Sequence, residues 1–184
     1  MTPIMTKVTE KFPAGRYCIE DSVGYLLARS RTKLAKRVDA QLAAHDITSA
    51  QGAVVMMLAS GNFSTAAELS RELYLDSASM TRMVDRLQKR GMLVRKPRGD
   101  DRRVIDLHLT ETGAALAEQL PTLYSVVLNQ SFADFSAEEV TTLKSLLRKL
   151  LDSNAGDLPV AEKASSKTCL LYTSDAADDM QCVD

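Results

Sequence analysis

Between Asp76 and Val104 the chain gathers the side chains best suited to grip a polyanion. Ser77, Ser79 and Thr81 follow Asp76, and nine cations come after them: Arg82, Arg86, Lys89, Arg90, Arg95, Lys96, Arg98, Arg102 and Arg103. Only Asp85, Asp100 and Asp101 oppose them, which leaves a local charge of +6. A guanidinium can donate two parallel hydrogen bonds, the geometry that a phosphate or the major-groove edge of guanine accepts. Small hydroxyl residues at a helix start let the backbone come close to base edges. The candidate DNA contacts are therefore Ser77, Ser79, Thr81, Arg82 and Arg86 on one element, and Arg98, Arg102 and Arg103 on the next.

The whole chain gives this patch its contrast. It has 184 residues and a formal net charge of −1. The first 152 residues hold 21 basic and 18 acidic groups, so a strongly basic patch sits in a mildly basic domain. No apolar run approaches the roughly 18–20 residues that span a bilayer, the longest candidate being 53-AVVMMLA-59. The first fifteen residues lack the apolar core of a secretory signal. A cytoplasmic protein with no membrane partner is expected. Cys18, Cys169 and Cys182 form no C-x-x-C pair and no His/Cys cluster, so no metal or cofactor is expected.

Positioning the patch requires elements, and the sequence marks them. Residues 20–45 read as one long helix, with Leu26, Leu27, Leu34, Val38 and Leu42 at helical spacing. A helix that long has apolar surface to cover beyond a small core. Thr48…Gln51, Thr65…Glu68 and Ser136…Glu139 fit reciprocal N-terminal caps and predict helices over 49–60, 65–73 and 136–152. Asp76 caps a helix over 77–90, with Met80, Met83, Val84 and Leu87 inward and Ser79, Arg82, Arg86 and Lys89 outward; Gly91 ends it. The period then drops to two, predicting strands at 92–96 and 103–109 around the loop 97-PRGDD-101, with His108 facing solvent. Thr110 starts a helix over 111–131 that Pro121 should kink or interrupt.

This order predicts a mainly α fold with a small two-stranded β-wing: a winged helix-turn-helix flanked by N- and C-terminal helices. The helix 65–73 supports, the helix 77–90 enters the major groove, and the hairpin is the wing. An amphipathic helix with a basic face is most often just a solvated face. Three features together argue otherwise: the small polar helix start, the arginine loop and the helix-helix-hairpin order.

The chain resembles the MarR family of transcription regulators over about residues 20–152. The resemblance rests on 46-DITSAQ-51, 76-DSASMTRMVDRLQKRG-91, 98-RGDDRRV-104 and 107-LHLTETG-113. It implies a DNA-binding lobe over 49–109 and dimerisation through 20–45 and 111–152. It further implies a homodimer that reads pseudo-palindromic double-stranded DNA, and repression relieved by a small anionic aromatic effector. Asp76 matches a family aspartate and Arg103 the wing arginine that pairs with it; alternatively Arg103 enters the minor groove. Arg82 matches a DNA-contacting position. The hydroperoxide-sensing branch carries a cysteine where this chain has Gly24, and Cys18 lies six residues upstream. The likeness is therefore to the MarR-like subgroup, with thiol-based sensing through Cys18 as the alternative. Tyr25, Arg29, His45 and Met56 are ligand-pocket candidates; Met56 and Met57 also suit a core, and His45 a solvated turn.

A winged-helix module that binds protein instead of DNA is a second class. Such a module would not keep a basic recognition face and wing. The chain offers no nucleophile–base pair, phosphate-cradling glycine loop or metal spacing, so an enzyme is not expected. Residues 1–19 read as an N-terminal arm and 153–168 as a linker-like tail. The segment 169-CLLYTSDAADDMQCVD-184 does not read as natural protein, because its first ten residues resemble one frame of a sequencing adaptor. No function is assigned to it.

Overall fold

The structure, a computed structural model, describes Phe12 and residues 18–153. The expected tail features, Cys169 and Cys182 among them, lie outside the described residues. The chain divides into two compact units, one ending at Phe135 and the other beginning at Ser136.

In the first unit, α1 spans Val23–Leu42. It is shorter at both ends than expected, and local chemistry explains each end. Ser22 caps the start, its hydroxyl accepting from the Tyr25 amide at 3.3 Å. At the other end the chain tightens into a 3-10 turn, Ala43–His45, and Asp46 takes a left-handed conformation with φ of 55°. The next helices, α2 (Ser49–Ala59) and α3 (Ala66–Glu72), start at the reciprocal caps the sequence predicts. Recognition-helix candidate α4 spans Ser77–Lys89. Its end is a Schellman motif: Gly91, at φ of 67°, donates to the Gln88 carbonyl and Met92 to the Leu87 carbonyl. Helix α3 ends in the same pattern with Tyr74 in the left-handed position, where glycine is usual.

Strands β1 (Leu93–Pro97) and β2 (Ile105–Leu109) pair antiparallel, Leu93 opposite Leu109 and Pro97 opposite Ile105. The second strand begins two residues later than expected, so Arg103 belongs to the loop. Residues 98–104 form the tip, closed where the Arg98 amide donates to the Val104 carbonyl at 2.9 Å. Helix α5 spans Glu111–Ser131 without interruption at Pro121, which corrects the expected break. Pro121 sits on an exposed face and removes one backbone donor from a helix of 21 residues.

The core joins these elements. Leu42, Val54, Val55, Leu69, Met80, Val84, Leu87, Leu93 and Leu120 are essentially inaccessible to solvent. The expected inward stripe of α4 is there, with Met83 at its partly buried edge. Met56 and Met57 also pack against this core. Two glycines allow close approaches: a Cβ on Gly52 would overlap the Tyr124 hydroxyl, and one on Gly113 would overlap the Met92 carbonyl oxygen.

The second unit consists, among its described residues, of α6 (Ala137–Leu151). It begins at the reciprocal Ser136/Glu139 cap, and none of its residues is buried.

Candidate nucleic-acid interface

The outer face of α4 is prepared before any ligand arrives. The Asp76 carboxylate accepts from the Ser79 amide at 2.8 Å and from the Ser79 hydroxyl at 2.7 Å. These bonds hold the Asp76 carboxyl below the usual carboxylate range. The Ser79 hydroxyl in turn accepts from the Arg82 guanidinium at 3.0 Å. Arg82, Ser79 and Asp76 thus form a line along the first turn, and Arg82 is held over the helix start. Thr81 folds back, its hydroxyl donating to the Ser77 carbonyl at 2.7 Å. Ser77, Thr81, Arg82 and Arg86 are all exposed.

The nine cations are not alike. Arg90, Arg95 and Arg98 pair with carboxylates within the domain. Arg90 pairs with Asp46 at 3.0 Å and donates to the His45 carbonyl, tying the end of α4 to the α1–α2 turn. Arg95 pairs with Asp85 at 2.6 Å, tying β1 to α4. Arg98 forms a fork on Asp106: its Nε lies 3.0 Å from one carboxylate oxygen and an Nη 2.6 Å from the other. Arg82, Arg86 and Lys89 on α4, Lys96 on β1, and Arg102 and Arg103 at the tip are exposed.

Two of the expected site residues are held in contacts within the chain. Arg98 forks onto Asp106, whose side chain is only 15% exposed. Asp76 and Arg103 form no bridge in this structure. The Asp76 carboxylate is engaged by its own helix start, and Arg103 donates its backbone amide to the Asp101 carboxylate at 3.0 Å. An N-cap aspartate has orphan amides within reach, whereas Arg103 is carried on the loop.

The base of the wing contains groups that sequence reasoning missed. Ser64 accepts at its carbonyl from the Leu107 amide at 2.6 Å. Its amide donates to Glu68 at 2.8 Å, and its hydroxyl lies 3.2 Å from an Arg98 nitrogen. Bonds from the Ser64 and Thr65 amides lower the Glu68 pKa, and the Arg98 fork lowers that of Asp106. Nothing in the local sequence links Ser64 to residues 34 positions away; the alternation of β2 was the only hint that Asp106 faces away from Leu107. Tyr74 was missed too. It is 85% exposed in the turn that enters α4, on a backbone conformation that costs an L-residue about 1 kcal/mol or more.

Of the ligand-pocket candidates, Tyr25 and Arg29 touch one another. Arg29 donates to the Tyr25 hydroxyl at 2.9 Å, and its guanidinium carbon lies 5.9 Å from that ring's centre. His45 lies twenty residues farther along, which is about 30 Å at helical rise. Met56 is a flank of the core. Cys18 is exposed just before the 3-10 turn Ile19–Asp21. His108 is exposed, as expected. Among the described residues no group of His, Cys, Asp and Glu is arranged to hold a metal, and no helix is long and apolar enough to cross a membrane.

Known proteins share this arrangement. Residues 45–104 match the family model described as MarR family. The multiple antibiotic resistance protein MarR of Escherichia coli (strain K12) is 35% identical over 130 residues, covering 70% of this chain and 90% of the relative. The HTH-type transcriptional repressor NicR of Pseudomonas putida is 30% identical over 142 residues, 76% of this chain and 90% of the relative. Among solved structures, a variant of E. coli MarR complexed with operator DNA superposes with a TM-score of 0.64 at 32% identity, covering 70% of this chain and 92% of that one. With its helix-turn-helix, its wing and these relatives, the chain belongs to the MarR family of DNA-binding transcription regulators.

Proposed function

We propose that the protein is a homodimeric repressor that binds a pseudo-palindromic operator and is released by a small anionic aromatic effector. The observation that carries this reading is the division of the cations. Arg90, Arg95 and Arg98 are paired with carboxylates of the domain, while Arg82, Arg102 and Arg103 stay exposed on α4 and the wing tip. In this reading Ser77, Ser79, Thr81, Arg82 and Arg86 face the major groove, and Arg102 and Arg103 reach the minor groove or its flanking phosphates. A two-fold dimer sets its two α4 helices about one DNA turn, roughly 34–36 Å, apart. Apolar side chains exposed on α1 and α6, Leu26, Leu27, Leu146 and Leu150 among them, supply the surface for a second copy. An effector releases the operator by favouring a lobe separation that mismatches successive grooves, and it does so only through unequal affinity for the two forms.

The test is fluorescence anisotropy of the chain with the duplex upstream of its own coding sequence, over a salt series and with salicylate added. Tight binding that weakens steeply with salt is expected, with release by salicylate. Arg82→Ala should weaken binding by about 1–3 kcal/mol if the side chain reads a base. Binding no tighter than to random duplexes, both for this DNA and for sequences selected from a random pool, would reject operator recognition.

A further inference from the structure

The wing has to be held at an angle to α4, and the Asp76–Arg103 bridge, one of the two roles open to Arg103, is not formed here. Another set of contacts occupies the base of the wing. Arg98, the first residue of the tip, forks onto Asp106 of β2 across the hairpin. The same guanidinium reaches the Ser64 hydroxyl, on the segment between α2 and α3. All the polar groups of Ser64 are committed. Its carbonyl accepts from the Leu107 amide of β2, its amide donates to Glu68 in the first turn of α3, and its hydroxyl lies between Arg98 and Glu68 at 3.2 and 3.4 Å. The hairpin is thereby joined to the N-terminus of α3, the helix that supports α4. Helix α3 starts at Ala66, so the attachment is only two residues from a rigid element.

From this juxtaposition we infer that Arg98 is a wing-positioning residue, not a DNA contact. With Asp106 and Ser64 it forms a clamp that sets where the loop carries Arg102 and Arg103. The inference rests on the DNA-binding reading of the wing but assigns Arg98 the opposite role within it. With Nε and Nη2 on the Asp106 carboxylate and Nη2 also on Ser64, only Nη1 keeps its donors, so Arg98 has no two-nitrogen edge left for a phosphate, and the pair adds no net charge to the patch. Arg98 nonetheless holds the start of the 98–104 tip, and Asp106 its return strand. Loss of either partner frees the same end of the loop.

The experiment compares Arg98→Ala, Asp106→Ala and the charge-exchanged double variant Arg98→Asp/Asp106→Arg with the wild-type chain. Two readouts are taken: hydrogen exchange at the Leu107 amide, and affinity with salt slope on a duplex selected from a random pool by the wild-type chain. Both single variants should lose Leu107 protection and on the order of 10-fold in affinity, with the slope of log K against log salt unchanged. The exchanged pair should recover both. If instead Arg98→Ala flattens the slope by about one unit while Asp106→Ala binds as well as wild type, Arg98 grips a phosphate and the clamp is overturned. Unchanged Leu107 protection in both single variants overturns it as well. If the wild-type chain selects no duplex, the DNA-binding reading fails, and Leu107 exchange alone still decides whether the clamp exists.

Discussion

Three carboxylates do structural work at the interface, and none of them could be ranked by charge alone. Asp76 caps α4, Glu68 caps α3, and Asp106 holds Arg98. Each has its pKa lowered, chiefly by the hydrogen bonds its ionised form accepts. A carboxyl with a lowered native pKa adds stability that is present above its unfolded value, about 3.9 for Asp. That stability is lost as pH falls through the native value. Asp106→Asn should therefore be less stable than wild type near neutrality. The difference should close as the pH is taken from about 5 toward 3, measured by urea unfolding at each pH. A gap that stayed constant over this range would mean that the Asp106 charge contributes nothing to stability. The residues at this scale were partly legible in the sequence. Asp76 announced itself because a cap lies three residues from its partner. Asp106 did not, because its partner depends on how the hairpin closes.

At the scale of elements, the corner between β2 and α5 explains the spacing of Leu109, Thr110 and Gly113. Thr110 donates its amide to the Met92 carbonyl at 3.0 Å and its hydroxyl to the Gly91 carbonyl at 2.5 Å. The same hydroxyl accepts from the Gly113 amide at 3.1 Å, capping α5. Gly113 must lack a side chain because the Met92 carbonyl already occupies the Cβ position. Gly113→Ala should cost about 1–3 kcal/mol, since the obstructing atom is backbone and cannot rotate aside. Chemical denaturation checks this, and a change below about 0.5 kcal/mol would mean the corner can relax. The starts of α2 to α6 were readable because caps are local in sequence, whereas α1 and β2 begin later than expected. Element ends were less readable: α1 gives way at Leu42 to a 3-10 turn that ends at a left-handed Asp46, with no glycine to mark it. Helix α5 runs through a proline because its remaining backbone bonds outweigh the single one lost.

For the whole molecule, the distribution of exposed apolar groups matters most. Val23, Leu26 and Leu27 on α1, Val126 and Leu128 on α5, and Leu146, Leu150 and Leu151 on α6 remain exposed. Within the segment from α2 to β2, Tyr74 and Ile105 are exposed as well. If those on α1, α5 and α6 cover a second copy, Leu146→Glu/Leu150→Glu should sediment as a monomer at micromolar concentration and lose most of its operator affinity, because only one half-site can then be held. A double variant that still sedimented as a dimer would place the interface elsewhere. By itself the sequence determined the starts of α2 to α6, the inward stripe of α4, the hairpin and the basic face. These follow from period and capping, which act over a few residues. The tertiary structure alone decided which cations are spent internally. Arg90 meets the His45 carbonyl across 45 positions and Arg98 meets Ser64 across 34. It also decided where side chains are forbidden, at Gly52 against Tyr124 and at Gly113 against Met92. Such pairings join distant parts of the chain that only packing brings within bonding distance, and no local rule encodes them.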